Sequence, residues 1–529
     1  MSTEISEVGL NSVGGAKQEK KRLIVCCDGT WNDSISSDSP LTNVSRISRL
    51  ITDIDENSPS RVPQVVYYHT GVGSGTSPAG NVVDGMSGRG ISANIRNAYS
   101  FICYNFSNEQ DEIVLIGFSR GAFTVQAVAT LIADVGLLTK PGLGHLCEVY
   151  KIWKIKPHDN DNRTSHPRRN LREKCNGLSQ TNELRTGIKV KVCAVWDAVG
   201  SLGFPVPDPF PQKASRRLAH INSKLCNNIE VAIQALALNE RRKHFQVTVW
   251  KADDSVNNRI LKQCWFLGNH SDVGGGNKDT GLANIALVWM ITQLRPYVGF
   301  DLEALRAFTS TRVQKASEES TEFDMPRHMS PTSIKANIGT IIPASVVAGI
   351  SRRSSHRAPY SLWTNTGFTG SWSGKIRTST RGVFVLGGSR PRKPCQYLMD
   401  EVVGLVPNPK DNPEPTNETI HYTVRVLLAS GLWECGALTK YKMTRENSTV
   451  NWTLFHKDKR ETKINLFEDP YCKEEHDLLE SWMKAENEKR KAENGKRKES
   501  SHGHTNSDRG AEESTILGIL LPFLKLGEA

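Results

Sequence analysis

Gly117-Phe118-Ser119-Arg120-Gly121 is the segment of this sequence best suited to chemistry. A serine flanked by glycines two residues either side is useful where a strand turns sharply into a helix. The glycines let neighbouring backbone approach, and the serine oxygen stands above the carboxyl edge of the sheet, at a helix N-terminus that favours an anion. An apolar run, EIVLIGF, precedes the motif and a helix-forming run, AFTVQAVATLIA, follows it. Ser119 is therefore the candidate nucleophile. A serine hydroxyl reacts poorly until a base takes its proton, and on such a sheet the partners follow in the order Ser, acid, His. Of the 14 histidines, His270 lies just past KQCWFL, in the glycine-rich run from Gly268 to Gly276. His69 also ends a strand-like run, but it precedes the serine. Asp197 closes VCAVW, where a carboxylate faces the crevice at the carboxyl ends of strands and can orient an imidazole. Asp272 is the alternative acid; being two residues from His270, it reads better as a brace for that loop. An oxyanion hole needs two backbone N–H donors. Arg120 supplies one. The other falls to Gly29 or Thr30, in a turn opened by Asp28 after a strand-like run two strands upstream of the serine.

Those residues need a sheet to hold them. Strand-length apolar runs occur at Arg22–Cys27, Gln64–His69, Glu112–Phe118, Lys189–Trp196 and Leu261–Leu267. Helix-period segments occur at Ile91–Phe106, Arg120–Ala133, Asn228–Leu238 and Leu282–Leu294, and the alternating Phe245–Trp250 reads as one more strand. Alternating strands and helices predict an α/β fold with a mostly parallel sheet flanked by helices. The 529 residues exceed the roughly 250–300 that one hydrophobic core organises. We read residues 1–20 as a leader and 21–300 as the catalytic domain, with a polar, basic insertion at 140–186. Residues 301–470 read as an irregular accessory or cap region with Pro/Gly/Arg-rich pieces such as Gly387 to Pro394. Residues 471–529 read as a charged tail ending in the short apolar segment Ile516–Leu526.

Composition narrows the class. At 38% hydrophobic and 23% charged residues, the chain is neither wholly disordered nor a multi-span membrane protein. No secretory apolar run opens it and no stretch reaches the length of a membrane span, so a cytoplasmic location is the default. The 11 cysteines lack metal-type spacing and read as reduced core thiols; no metal or cofactor is expected. The net charge of +11 is mild over this length. It suits contact with an anionic membrane surface, with basic clusters such as Arg352, Arg353 and Arg357, more than it suits nucleic acid, for which aromatic-and-basic interleaving is missing. The glycines at 71, 73 and 75 do not make a phosphate loop, because no Gly-Lys-Ser/Thr follows. Lys489 to Lys498 reads as part of a solvated segment.

RLIVCCDGTWND, HTGVGSG, IVLIGFSRGAFTV, VCAVWDAVGSLG, ALALNERRKHFQVTVW and CWFLGNHSDVGGGN occur in that order. Together they resemble the signature blocks of a family related to the phospholipase effectors of bacterial type VI secretion, long labelled a domain of unknown function. The resemblance covers about residues 21–300. It implies an α/β-hydrolase fold, hydrolysis of phospholipid esters, and the roles of nucleophile, base and acid for Ser119, His270 and Asp197. The sequence departs from the pattern at Asn239, where the family often has Asp. The expectation is a serine esterase acting on lipid esters; the alternative is an inactive hydrolase fold used as a binding scaffold.

Overall fold

A computed structural model describes residues 19–29, 40–71, 88–155, 165–199, 225–251, 259–307, 376, 388–400, 404–407, 416–429, 433–446, 449–455, 463–470 and 472–481. Thr30, Gly73, Gly75, the three arginines at 352, 353 and 357, and nearly all of the leader and the tail beyond residue 481 lie outside these residues.

In chain order the elements are β1 (Arg22–Cys27), α1 (Asn43–Leu50), β2 (Ile54–Asp55), β3 (Val62–His69), α2 (Gly88–Asn105), β4 (Glu112–Phe118) and α3 (Arg120–Val135). Then come β5 (Leu137–Leu138), α4 (Leu146–Lys154), α5 (Ser165–Gln180), β6 (Leu184–Arg185), β7 (Val190–Trp196), β8 (Ile229–Ala237), β9 (Ile260–Phe266), α6 (His270–Gly274), α7 (Gly281–Leu294) and α8 (Leu302–Ala307). The C-terminal part adds β10 (Tyr397–Asp400), β11 (Gly404–Pro407), β12 (Glu418–Ile420), α9 (Tyr422–Ala429), β13 (Tyr441–Glu446), β14 (Thr449–Phe455) and β15 (Lys463–Glu468).

Eleven of the described strands form one sheet in the order β13-β14-β15-β12-β9-β8-β7-β4-β1-β3-β2. From β3 to β15 every neighbouring pair is parallel; β2 and the β13–β14–β15 meander are antiparallel edges. A parallel sheet covered on both faces calls for near-continuous apolar strands. β1 is buried at every position, and β4 and β7 at all but one. One core cluster joins residues of α1 and α7 to one face of the sheet; the other joins residues of α2, α3 and α4 to the opposite face. The molecule is thus a mixed α/β fold of three layers.

Three expectations are corrected. Asn228–Leu238 is a strand, not a helix: its Ile and Val positions are buried on both faces of the sheet, and an apolar run of this length does not separate the two periods. Phe245–Trp250 is not a strand; it holds the end of a short 3-10 turn and a single bridge, Val199 to Val247. The described part of 301–470 is no irregular layer. β12 pairs in parallel with β9 and with β15, so the sheet runs across the expected boundary at residue 300. The three-residue β12 is too short to signal itself by periodicity. Within the 140–186 insertion, α4 sets Leu146, Val149, Tyr150 and Trp153 into the core. Among the described residues, no helix is long and apolar enough to cross a membrane.

Candidate active site

Ser119, Asp197 and His270 all follow sheet strands at their carboxyl ends: β4, its neighbour β7, and β9 two strands further on. Ser119 sits between β4 and α3 with φ 57° and ψ −121°, a conformation disfavoured for a residue with a Cβ. Its backbone N–H donates to Trp196 O at 3.2 Å, which ties the turn to the residue before Asp197. The flanking glycines are sterically required. A Cβ on Gly117 would stand 2.7 Å from Ala122 Cα, and one on Gly121 would stand 2.1 Å from Cys27 O and 2.5 Å from Asp28 O. Gly121→Ala must therefore push α3 away from β1. We expect a loss of about 1–3 kcal/mol, the usual range for overpacking, read as a lower urea midpoint. An unchanged midpoint would contradict this close approach.

Asp197 is fully buried and has φ 39°. His270 Nδ1 donates to its Oδ2 at 2.6 Å. Its Oδ1 accepts from Ala237 N at 3.0 Å. Burial works to raise this carboxyl, but the Arg392 charge, the His270 hydrogen bond and the Ala237 N–H outweigh it and bring it down to about 2. His270 is buried between Phe118 and Phe245, with ring centroids 4.6 Å and 5.0 Å away. Burial lowers its imidazole below the ordinary value, and Asp197 only partly offsets this. A neutral imidazole with Nδ1–H held by a carboxylate leaves Nε2 as the basic atom. Among the described residues, no hydrogen bond closes between Ser119 Oγ and His270 Nε2. Such contacts are commonly loose without substrate.

The loop around His270 is braced from several elements. Asn269 caps α6 by accepting from Ser271 N and Asp272 N, while Asp272 Oδ2 accepts from Asn269 N at 3.0 Å. Asp272 is thus the loop brace. Asn43 Nδ2 donates to Val273 O and Ala283 O, both at 2.9 Å. Asn239 exchanges backbone and side-chain hydrogen bonds with Gly268, so the departure from the family pattern falls on a structural contact.

Arg120 is the first residue of α3, where an N–H has no carbonyl four residues back. The Gly29 N–H instead donates to Asp28 Oδ1 at 2.7 Å. Asp28 folds back on its own turn, and its Oδ2 accepts from Thr42 Oγ1 and Tyr68 OH, both at 2.7 Å. His69 lies beyond β1 from β4, with Nδ1 on Thr70 O at 2.6 Å.

Two groups at this site carry no sequence signal of their own. Glu240, just past β8, is buried and accepts His270 N at 3.3 Å through Oε2. Burial pushes its carboxyl up, and Arg242 outweighs that to hold it below the usual range. Arg392 lies in the Gly387 to Pro394 stretch and places NH1 3.2 Å from Asp197 Oδ1 and NH2 3.1 Å from Oδ2. Its composition marked that stretch; its target could not be read. Among the described residues, no cluster of three or more His, Cys, Asp or Glu could hold a metal ion.

The fold and site together define a parallel-sheet α/β protein with a strained serine and a carboxylate–imidazole pair at one sheet edge. The chain belongs to the family described as T6SS, phospholipase effector Tle1-like, catalytic domain, which matches residues 21–293. An uncharacterized protein of Saccharomyces cerevisiae is 26% identical over 243 residues, covering 43% of this chain and 32% of the relative. The chain thus spans about a third of that relative's length. A solved structure of the Tle1 effector bound to the VgrG spike of the type 6 secretion system is 15% identical, with a TM-score of 0.26. That match covers 50% of this chain and 52% of the effector.

Proposed function

We propose that this chain is a serine hydrolase of the α/β-hydrolase type that cleaves carboxylic esters of lipids, acyl glycerophospholipids foremost. The observation that carries the reading is the Asp197–His270 hydrogen bond at the carboxyl edge that also holds a strained Ser119. In the first step Ser119 Oγ attacks the ester carbonyl, and His270 Nε2 takes the hydroxyl proton. The Arg120 N–H and the positive end of α3 face the developing oxyanion. His270 then protonates the departing alcohol. Water repeats the sequence with His270 as base and frees the acid and Ser119. Asp197 stabilises the imidazolium of each half-reaction. The lipid part of the reading rests on family membership, and the net charge of +11 is compatible with an anionic lipid surface.

The test is to incubate the purified chain with vesicles of phosphatidylcholine and phosphatidylglycerol and to quantify fatty acid and lysolipid. Stoichiometric release of both supports the reading. Hydrolysis of short soluble esters without lipid release would remove the lipid assignment and keep the esterase.

The pH dependence follows from His270. Because burial lowers its imidazole, the base is neutral down to more acidic pH than a free imidazole. The acid limb of kcat/KM should have its midpoint below the ordinary histidine value of about 6.5. Activity is full above that midpoint and is lost as pH falls through it. A midpoint above the ordinary value would contradict this assignment of the base.

A further inference from the structure

We propose that Arg392, carried by the chain beyond the family-matched residues, is a positioning residue that aims Asp197 at His270 and holds down the basicity of the imidazole. The proposal rests on the reading of Asp197 and His270 as acid and base. Arg392 makes a two-pronged contact with both carboxylate oxygens, and its NH2 also donates to Phe245 O at 2.6 Å. Arg392 is 3% exposed and Asp197 0%. A guanidinium fork fixes the plane of a carboxylate as well as neutralising it. With Ala237 N also on Oδ1, the fork leaves Oδ2 directed at His270 Nδ1.

The segment bearing Arg392 is tied down on both sides. Lys243 N donates to Gly388 O at 3.2 Å, and Arg390 N donates to Arg241 O at 2.7 Å. On the other flank, Cys395 N donates to Glu418 Oε2 at 2.8 Å and Tyr441 OH donates to Pro394 O at 2.6 Å. Glu418 belongs to β12 and Tyr441 to β13. The C-terminal strands therefore hold in place a cation that reaches back into the site of the matched domain.

The charged groups around the imidazole are Asp197 from the end of β7, Glu240 past β8, Arg242 paired with Glu240 at 2.8 Å, and Arg392 from the C-terminal segment. Formally these are two anions and two cations. Removing Arg392 leaves one uncompensated negative charge beside His270, which favours the imidazolium. The imidazole then titrates at higher pH, and the acid limb of hydrolysis moves with it. A merely structural arginine would change stability without moving that limb.

The experiment uses the full chain with Arg392→Met, which keeps bulk and removes charge, and Arg392→Lys, which keeps charge and removes the fork. A short nitrophenyl ester gives kcat, KM and the acid limb; NMR of ring-labelled histidine gives the His270 midpoint independently of turnover. For Arg392→Met we expect kcat to fall about 10–100-fold, as for other residues that orient a functional group from behind, with KM near wild type. Both midpoints should rise by about one pH unit, a tenfold change in protonation. Arg392→Lys should keep the midpoints and recover part of kcat. A folded Arg392→Met with unmoved midpoints overturns the proposal, whether or not kcat falls. If Arg392→Met does not fold, Arg392→Lys decides: lower kcat with KM and midpoints held supports it, and wild-type kcat overturns it. A wild-type chain inert toward esters, with a His270 midpoint that still rises in Arg392→Met, would sink the hydrolase reading and leave this inference standing.

Discussion

Ser119→Ala should lower kcat on a short nitrophenyl ester by about 10⁵–10⁶-fold, the scale seen when a triad nucleophile is deleted elsewhere. In the proposed mechanism this change removes the covalent step, while the Arg120 N–H and the α3 dipole remain. Residual catalysis of about 10³–10⁴ over water is what such leftover groups supply. The fold should survive the change. Ser119 is buried, its hydroxyl makes no hydrogen bond among the described residues, and alanine pays the same positive-φ cost as serine. A variant with wild-type circular dichroism and wild-type rate would remove Ser119 from the mechanism.

Asp197→Asn is expected to cost about 10⁴-fold in kcat, because the amide stabilises the wrong imidazole tautomer. Here it should also destabilise the chain. Arg392 is buried on this carboxylate, and breaking a buried pair by removing one charge typically costs about 3–5 kcal/mol. Asn keeps one oxygen that can accept from the guanidinium, so the lower end of that range applies. The two effects are separable: kcat is measured well below the urea midpoint, and the midpoint itself reports the lost pair. Full activity in a destabilised variant would show that Asp197 serves only to neutralise Arg392.

β1, β4 and β7 were legible because burial on both faces leaves long apolar runs bounded by turn residues. The same property hid β8, since IEVAIQALA is apolar at both helical and strand spacing. Ser119, Asp197 and His270 could be picked out because each ends a strand or follows one closely, and chain order then separated His270 from His69. The Asp197–His270 contact joins residues 73 positions apart, yet it needed only the rule that ligands gather at one sheet edge. Arg392 could not be found this way. It is 195 residues from Asp197, it ends no strand, and its position depends on β12 entering the sheet beside β9. That pairing is set by three residues with no local signal. The Gly29 N–H bond to Asp28 Oδ1 was hidden for a similar reason: it is a side-chain choice that spacing does not reveal.

If Ser119 is a nucleophile activated by the Asp197–His270 pair, it should react with an electrophile that traps activated serines. The most direct test is covalent capture. The full chain is treated with a fluorophosphonate, digested, and mapped by mass spectrometry beside Ser119→Ala and His270→Gln. We expect one phosphonylated serine, Ser119, with labelling strongly slowed in His270→Gln and lost in Ser119→Ala. Folded wild-type protein that stays unlabelled, or that carries the label on a residue other than Ser119, would contradict this assignment.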